Sequence, residues 1–120
     1  MNHFMLPLWN GEGLASPKYG NIAIETLLEN MLSIGSQKKD LIAKVFGGAC
    51  QYNQQNSIIS VGDRNIQIMK TMLEKLRIHI VSESLGGTQG RKITFDTTTG
   101  QVMMKYLLKQ NHDRIISQLT

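Results

Sequence analysis

Cysteine is almost missing: Cys50 is the only one in 120 residues. That excludes a disulfide framework and a paired-cysteine zinc site, and it makes a reducing compartment, the cytoplasm, the default. No apolar run approaches the ~18 residues that a membrane-crossing helix needs, so membrane insertion is not expected. The opening MNHFMLPLWNGEG has no basic stretch followed by a long apolar one, so it does not read as a secretory signal. Aromatics are few, seven in all, and none interleaves with the densest basic run, Lys38-Lys39. The sequence therefore offers no base-stacking platform, and no nucleic-acid partner is expected. The net charge of +4 reads as a mildly basic, solvated surface. Three histidines, His3, His79 and His112, lie in separate segments without ligand spacing. Neither a metal nor an organic cofactor is expected.

What is present suits one small globular domain. Apolar residues make up 41% and charged residues 18% of a 13.5 kDa chain. Asn2 to Leu8 reads as the end of a strand. Trp9 to Gly20 follows as a loop, long enough to be either functional or a plain connector. Gly20 or Asn21 can cap a helix whose stripe is Ala23, Leu27, Met31 and Ile34, widened by Ile24 and Leu28. Gly35 is placed to stop it. Leu41 to Phe46 is a short apolar run ended by Gly47-Gly48, which reads as a buried strand. The Gln/Asn-rich stretch from Cys50 to Asn56 reads as a loop, and Ser57 to Val61 as another strand. Asp63 or a neighbour opens a second helix with the stripe Ile66, Met69, Leu73 and Leu76. Ile78 to Val81 is β-branched and reads as a strand, with His79 as an ordinary strand histidine. Arg91 to Asp96 and Gln101 to Leu107 form a hairpin turned at Gly100. A final helical turn around Ile115 and Ile116 closes the chain. Strands in succession beside two amphipathic helices predict an α/β or α+β layered sandwich rather than a doubly wound parallel sheet.

Five segments, in order, resemble one family, the CheD chemoreceptor glutamine deamidases of bacterial chemotaxis. They are MNHFMLP at the start, SPKYG ending at Gly20, AKVFGGA from Ala43 to Ala49, VGDRN from Val61 to Asn65, and LGGTQGRKITFDTTTG from Leu85 to Gly100. The resemblance implies an α/β/β layered sandwich related to the catalytic domain of cytotoxic necrotizing factor. It implies hydrolysis of selected glutamine side chains on methyl-accepting chemotaxis receptors to glutamate, with release of ammonia. The implied machinery is a cysteine nucleophile, a histidine and a threonine. A carboxamide is a poor electrophile with a poor leaving group, so a thiolate attacks, an imidazole shuttles the proton, and a third group orients that imidazole. The family's histidine falls on His3.

The chain departs from the family pattern at one point. The resemblance places the cysteine and threonine upstream of the histidine, in and before a Gly-Ser-Cys segment that these 120 residues do not contain. Cys50 follows the FGGA motif at a position with no catalytic role in the family, and it reads as an inert strand-end cysteine. The expectation is a single CheD-like domain over residues 1–120 that lacks its first strands. It would be an N-terminally truncated chain beginning at an internal methionine or, failing that, a genuine short paralogue. Such a chain would be catalytically inactive as it stands. A competing role is a binding module, since the family also binds and stimulates the phosphatase CheC. If the chemistry is cysteine–histidine chemistry, deamidation by the complete protein survives EDTA; loss of activity that zinc restores would contradict this.

Overall fold

A computed structural model of the chain describes residues 1–8, 11, 15–50 and 60–108. Two helices, α1 (Gly20–Ser33) and α2 (Val61–Leu76), accompany four strands. The strands are β1 (Ile42–Gly47), β2 (His79–Leu85), β3 (Arg91–Phe95) and β4 (Val102–Tyr106). β1 and β2 pair in parallel across the intervening α2, and β3 and β4 pair antiparallel as a hairpin. Helix and strand are thus mixed as an α/β chain requires, with the described strands in two separate pairs.

The core lies where the two helices cross the β1–β2 pair. Ile24 of α1 meets Met69 and Leu73 of α2, and Ala43, Val45, Ile78, Ile80 and Leu85 close over them from the sheet side. Spacing explains the choice: Met69 and Leu73 are i and i+4 on one face of α2, beside Ile66 and Leu76. The α1 stripe is shorter than its sequence predicts. It is deepest at Ala23 and Ile24, while Ile34 stands outside the helix as its C-cap, 79% exposed. Gly35 follows with φ +107, the expected stop.

Several local expectations are corrected. The N-terminal strand reduces to a single bridge between Leu6 and Tyr19, because the Met5 and Leu6 amides both turn to the one Lys18 carbonyl. Tyr19, not Gly20 or Asn21, is the N-cap of α1. Val61 belongs to α2 rather than to a strand. Ser60 and Asp63 form a reciprocal capping box there, with the Asp63 amide 3.1 Å from Ser60 Oγ. β2 runs four residues past Val81, since Ser82, Glu83 and Ser84 pair with Lys44, Val45 and Phe46 beyond a register shift in β1. The expected strand residues 57–59, the expected loop 51–56 and the final helical turn lie outside the described residues.

The hairpin behaves as its sequence predicts. Asp96 Oδ1 accepts from the Thr98 and Thr99 amides and Gly100 sits at φ +77, so FDTTTG is a turn built on an aspartate. Two cations fasten the hairpin to the parallel pair. Lys44 Nζ of β1 donates to the Gly100 carbonyl at 2.8 Å. Arg91 of β3 donates to Ser84 Oγ (3.0 Å), the Gly47 carbonyl (3.3 Å) and the Gly86 carbonyl (2.8 Å). Its guanidinium also lies 5.1 Å from the Tyr106 ring. The Ser84 hydrogen bond, and then Arg91, hold the Tyr106 phenol below its ordinary pKa. Because one planar fork ties the ends of β1 and β2 to the hairpin, Arg91→Lys should cost on the order of 2 kcal/mol in urea unfolding, although charge is conserved. An unchanged midpoint would show that a point charge suffices.

Candidate active site

A cavity of about 450 Å³ opens where three segments meet. His3, Phe4 and Met5 form one wall, Gly48, Ala49 and Cys50 a second, and Ser60, Val61, Gly62 and Asn65 of the α2 start the third. Each wall is held by backbone contacts that its sequence dictates.

The first wall leans on the SPKYG segment. The Met5 and Leu6 amides donate to the Lys18 carbonyl at 2.8 and 2.9 Å, and the Gly20 amide returns to the Leu6 carbonyl at 2.7 Å. A Cβ on Gly20 would come within 2.9 Å of the Phe4 ring and 3.0 Å of the Pro7 carbonyl oxygen. HFMLP and SPKYG are therefore two halves of one contact. His3 itself is exposed at the rim.

The second and third walls meet backbone to backbone. A Cβ on Gly62 would collide with the Gly48 carbonyl and lie 2.9 Å from the Ala49 carbonyl oxygen. A Cβ on Gly48 would reach 2.5 Å from the Ile66 side chain, at φ +74. So AKVFGGA and VGDRN also meet each other directly. The loop of the second wall is in turn bonded to the LGG turn, through Gly86 N–H to the Gly47 carbonyl and Cys50 N–H to the Gly87 carbonyl. The first turn of α2, whose leading amides have no intrahelical acceptor, ends at the cavity.

The sequence names His3, and the structure places it on the cavity. It also brings Cys50, half-buried, to the same cavity, although the sequence reading kept the two apart as distant in the chain. His79 is exposed on β2, away from the cavity lining, and His112 lies outside the described residues. Ser60 and Asn65 were not singled out from the sequence. For Ser60 the Ser-x-x-Asp pattern ahead of an apolar-periodic stretch was a usable signal. For Asn65 the only signal is its place at the end of VGDRN.

The model of the family described as CheD chemotactic sensory transduction matches residues 5–106, starting two positions after His3. Among curated relatives, a protein of Sulfurimonas denitrificans is 54% identical over 111 residues, covering 91% of this chain and 70% of its own length. One of Trichlorobacter lovleyi is 54% identical over 111 residues, covering 92% and 69%. One of Hahella chejuensis is 39% identical over 123 residues, covering 98% of this chain and 57% of its own length. Each is called a probable chemoreceptor glutamine deamidase CheD. The chain belongs to the CheD family.

Gly62→Ala separates the contact from helix propensity. Inside an ordinary helix that change stabilises by up to about 1 kcal/mol. Here the added methyl meets the Gly48 and Ala49 backbone, which cannot rotate away as a side chain could, and a loss of about 1–3 kcal/mol is expected in denaturant unfolding. A more stable variant would show that the two walls are not in forced contact.

Proposed function

We propose that this chain carries the histidine of a protein-glutamine deamidase that acts on methyl-accepting chemotaxis receptors in the cytoplasm. The supporting observation is the convergence on one cavity of His3, the FGGA loop and the start of α2, three of the segments on which the family resemblance rests. The α/β/β layering and the strands expected ahead of Met1 belong to the same reading.

The chemistry assigns His3 both proton transfers. In the first half-reaction a thiolate attacks the substrate carboxamide carbon, and the C=O electron pair moves to oxygen. The imidazolium gives its proton to nitrogen, ammonia leaves and a thioester remains. In the second, neutral imidazole takes a proton from water, the hydroxide adds to the thioester, and the thiolate departs to leave glutamate. Gly48, Ala49, Val61 and Gly62 line the cavity, and their backbone N–H groups are the candidates to hold the transient oxyanion. The nucleophile in this reading is the cysteine that the resemblance places ahead of His3.

A second reading has one observation in its favour: Cys50 shares the cavity with His3. Mass spectrometry of a receptor cytoplasmic fragment, reading Gln→Glu conversion, decides between them. The 120-residue chain alone should produce no conversion. A chain extended by the Gly-Ser-Cys segment should convert receptor, and His3→Ala should lower its rate by several orders of magnitude without unfolding it. Conversion by the 120-residue chain that Cys50→Ser abolishes would transfer the nucleophile's role to Cys50. Undiminished activity of the extended His3→Ala protein would remove His3 from the mechanism.

A further inference from the structure

His3 is strung between the two helices by bonds on either side of it. Before it, Asn2 Nδ2 donates to the Ala23 carbonyl of α1 at 3.2 Å. After it, the Met5 carbonyl accepts from Asn65 Nδ2 of α2 at 3.1 Å, a contact spanning 60 residues of sequence. The Met5 amide is already committed to Lys18, so the Met5 carbonyl is this segment's hydrogen-bonded link to α2 among the described residues.

The other half of the Asn65 side chain is unusual. Oδ1 is buried and meets no donor among the described residues. The carboxamide cannot turn over to satisfy Oδ1 without giving up Met5. A buried acceptor left unpaired costs about as much as, or more than, one neutral hydrogen bond returns. As a device for stability, asparagine here gains little over an aliphatic side chain of the same size. What only the carboxamide supplies is a donor at a fixed point on the cavity wall.

We propose that Asn65 is a positioning residue of this site: through the Met5 carbonyl it sets where His3 stands against the start of α2. The proposal deepens the reading of His3 as the proton-transfer group and takes its purpose from that reading, but the tether itself is measurable without turnover. Asn65 need not touch substrate. It acts two residues along the chain, where a small displacement changes the reach of an imidazole that must hand a proton to a particular nitrogen.

The test is NMR of the isotopically labelled 120-residue chain. The His3 ring signals are identified by their disappearance in His3→Gln. In Asn65→Ala the His3 ring signals should move to the positions of an unstructured histidine. Exchange of the Met5 and Leu6 amides should accelerate by ~10-fold or more, while amides of β1, β2 and the C-terminal half of α2 change by less than ~2-fold. Asn65→Asp keeps the size and an acceptor but at neutral pH has no donor, so it should reproduce Asn65→Ala. An Asn65→Asp chain in which His3 and Met5 behave as in the parent would overturn the proposal, because the donor would not be the tether. Uniform acceleration of all amides, or loss of the fold in both variants, would overturn it as well by making Asn65 an ordinary structural residue. Failure of His3→Ala to impair deamidation is a separate result, and it leaves the tether measurement untouched.

Discussion

The Gly48–Gly62 approach is the constraint from which the cavity follows. β1 ends and α2 begins at the same place, and a side chain on either glycine would force them apart. With both side chains absent, the loop after β1 lies against the first turn of α2. The capping box at Ser60 then fixes the direction in which that helix leaves. The first wall, with His3, comes from another part of the chain, held by Lys18 and Gly20 on one side and Asn65 on the other. Two pairs of motifs, each pair with a glycine at its contact, thus act as complementary surfaces.

Arg91 performs the matching task on the far side of β1. Its fork reaches the carbonyls of Gly47 and Gly86 together with Ser84, so one side chain gathers the ends of both parallel strands and the base of the hairpin. The loop carrying Gly48, Ala49 and Cys50 follows directly from one of those strand ends. Its backbone is bonded to the turn that follows the other. The geometry of the second cavity wall therefore depends on a residue that does not line it.

Much of the framework was legible in sequence because it rests on local pattern. The α2 stripe, the Gly35 stop, β1 with its glycine end and the hairpin turning at Gly100 are all matters of period and turn chemistry. Where tertiary pairing overrules propensity, the sequence misleads. Ser82, Glu83 and Ser84 look like the end of a strand, yet they continue β2 because β1 offers them parallel partners. Asn2 to Leu8 looks like a strand but keeps only one bridge. At the site, the resemblance picked out His3. No spacing rule could show that Cys50, 47 positions later, shares its cavity, because that proximity is made by two loops and a helix start rather than by periodicity.

The span of the Asn65–Met5 bond has a consequence for how the molecule is made. The segment carrying His3 is made before both of its partners, and its bonds to Lys18 and Gly20 are available as soon as those residues follow. Its link to α2 must wait until Asn65, 60 residues after Met5, has been synthesised. A nascent chain therefore has the histidine and the beginning of α1 long before it has a cavity. The order of synthesis thus leaves the cavity unassembled until α2 has been made and folded against the earlier segment.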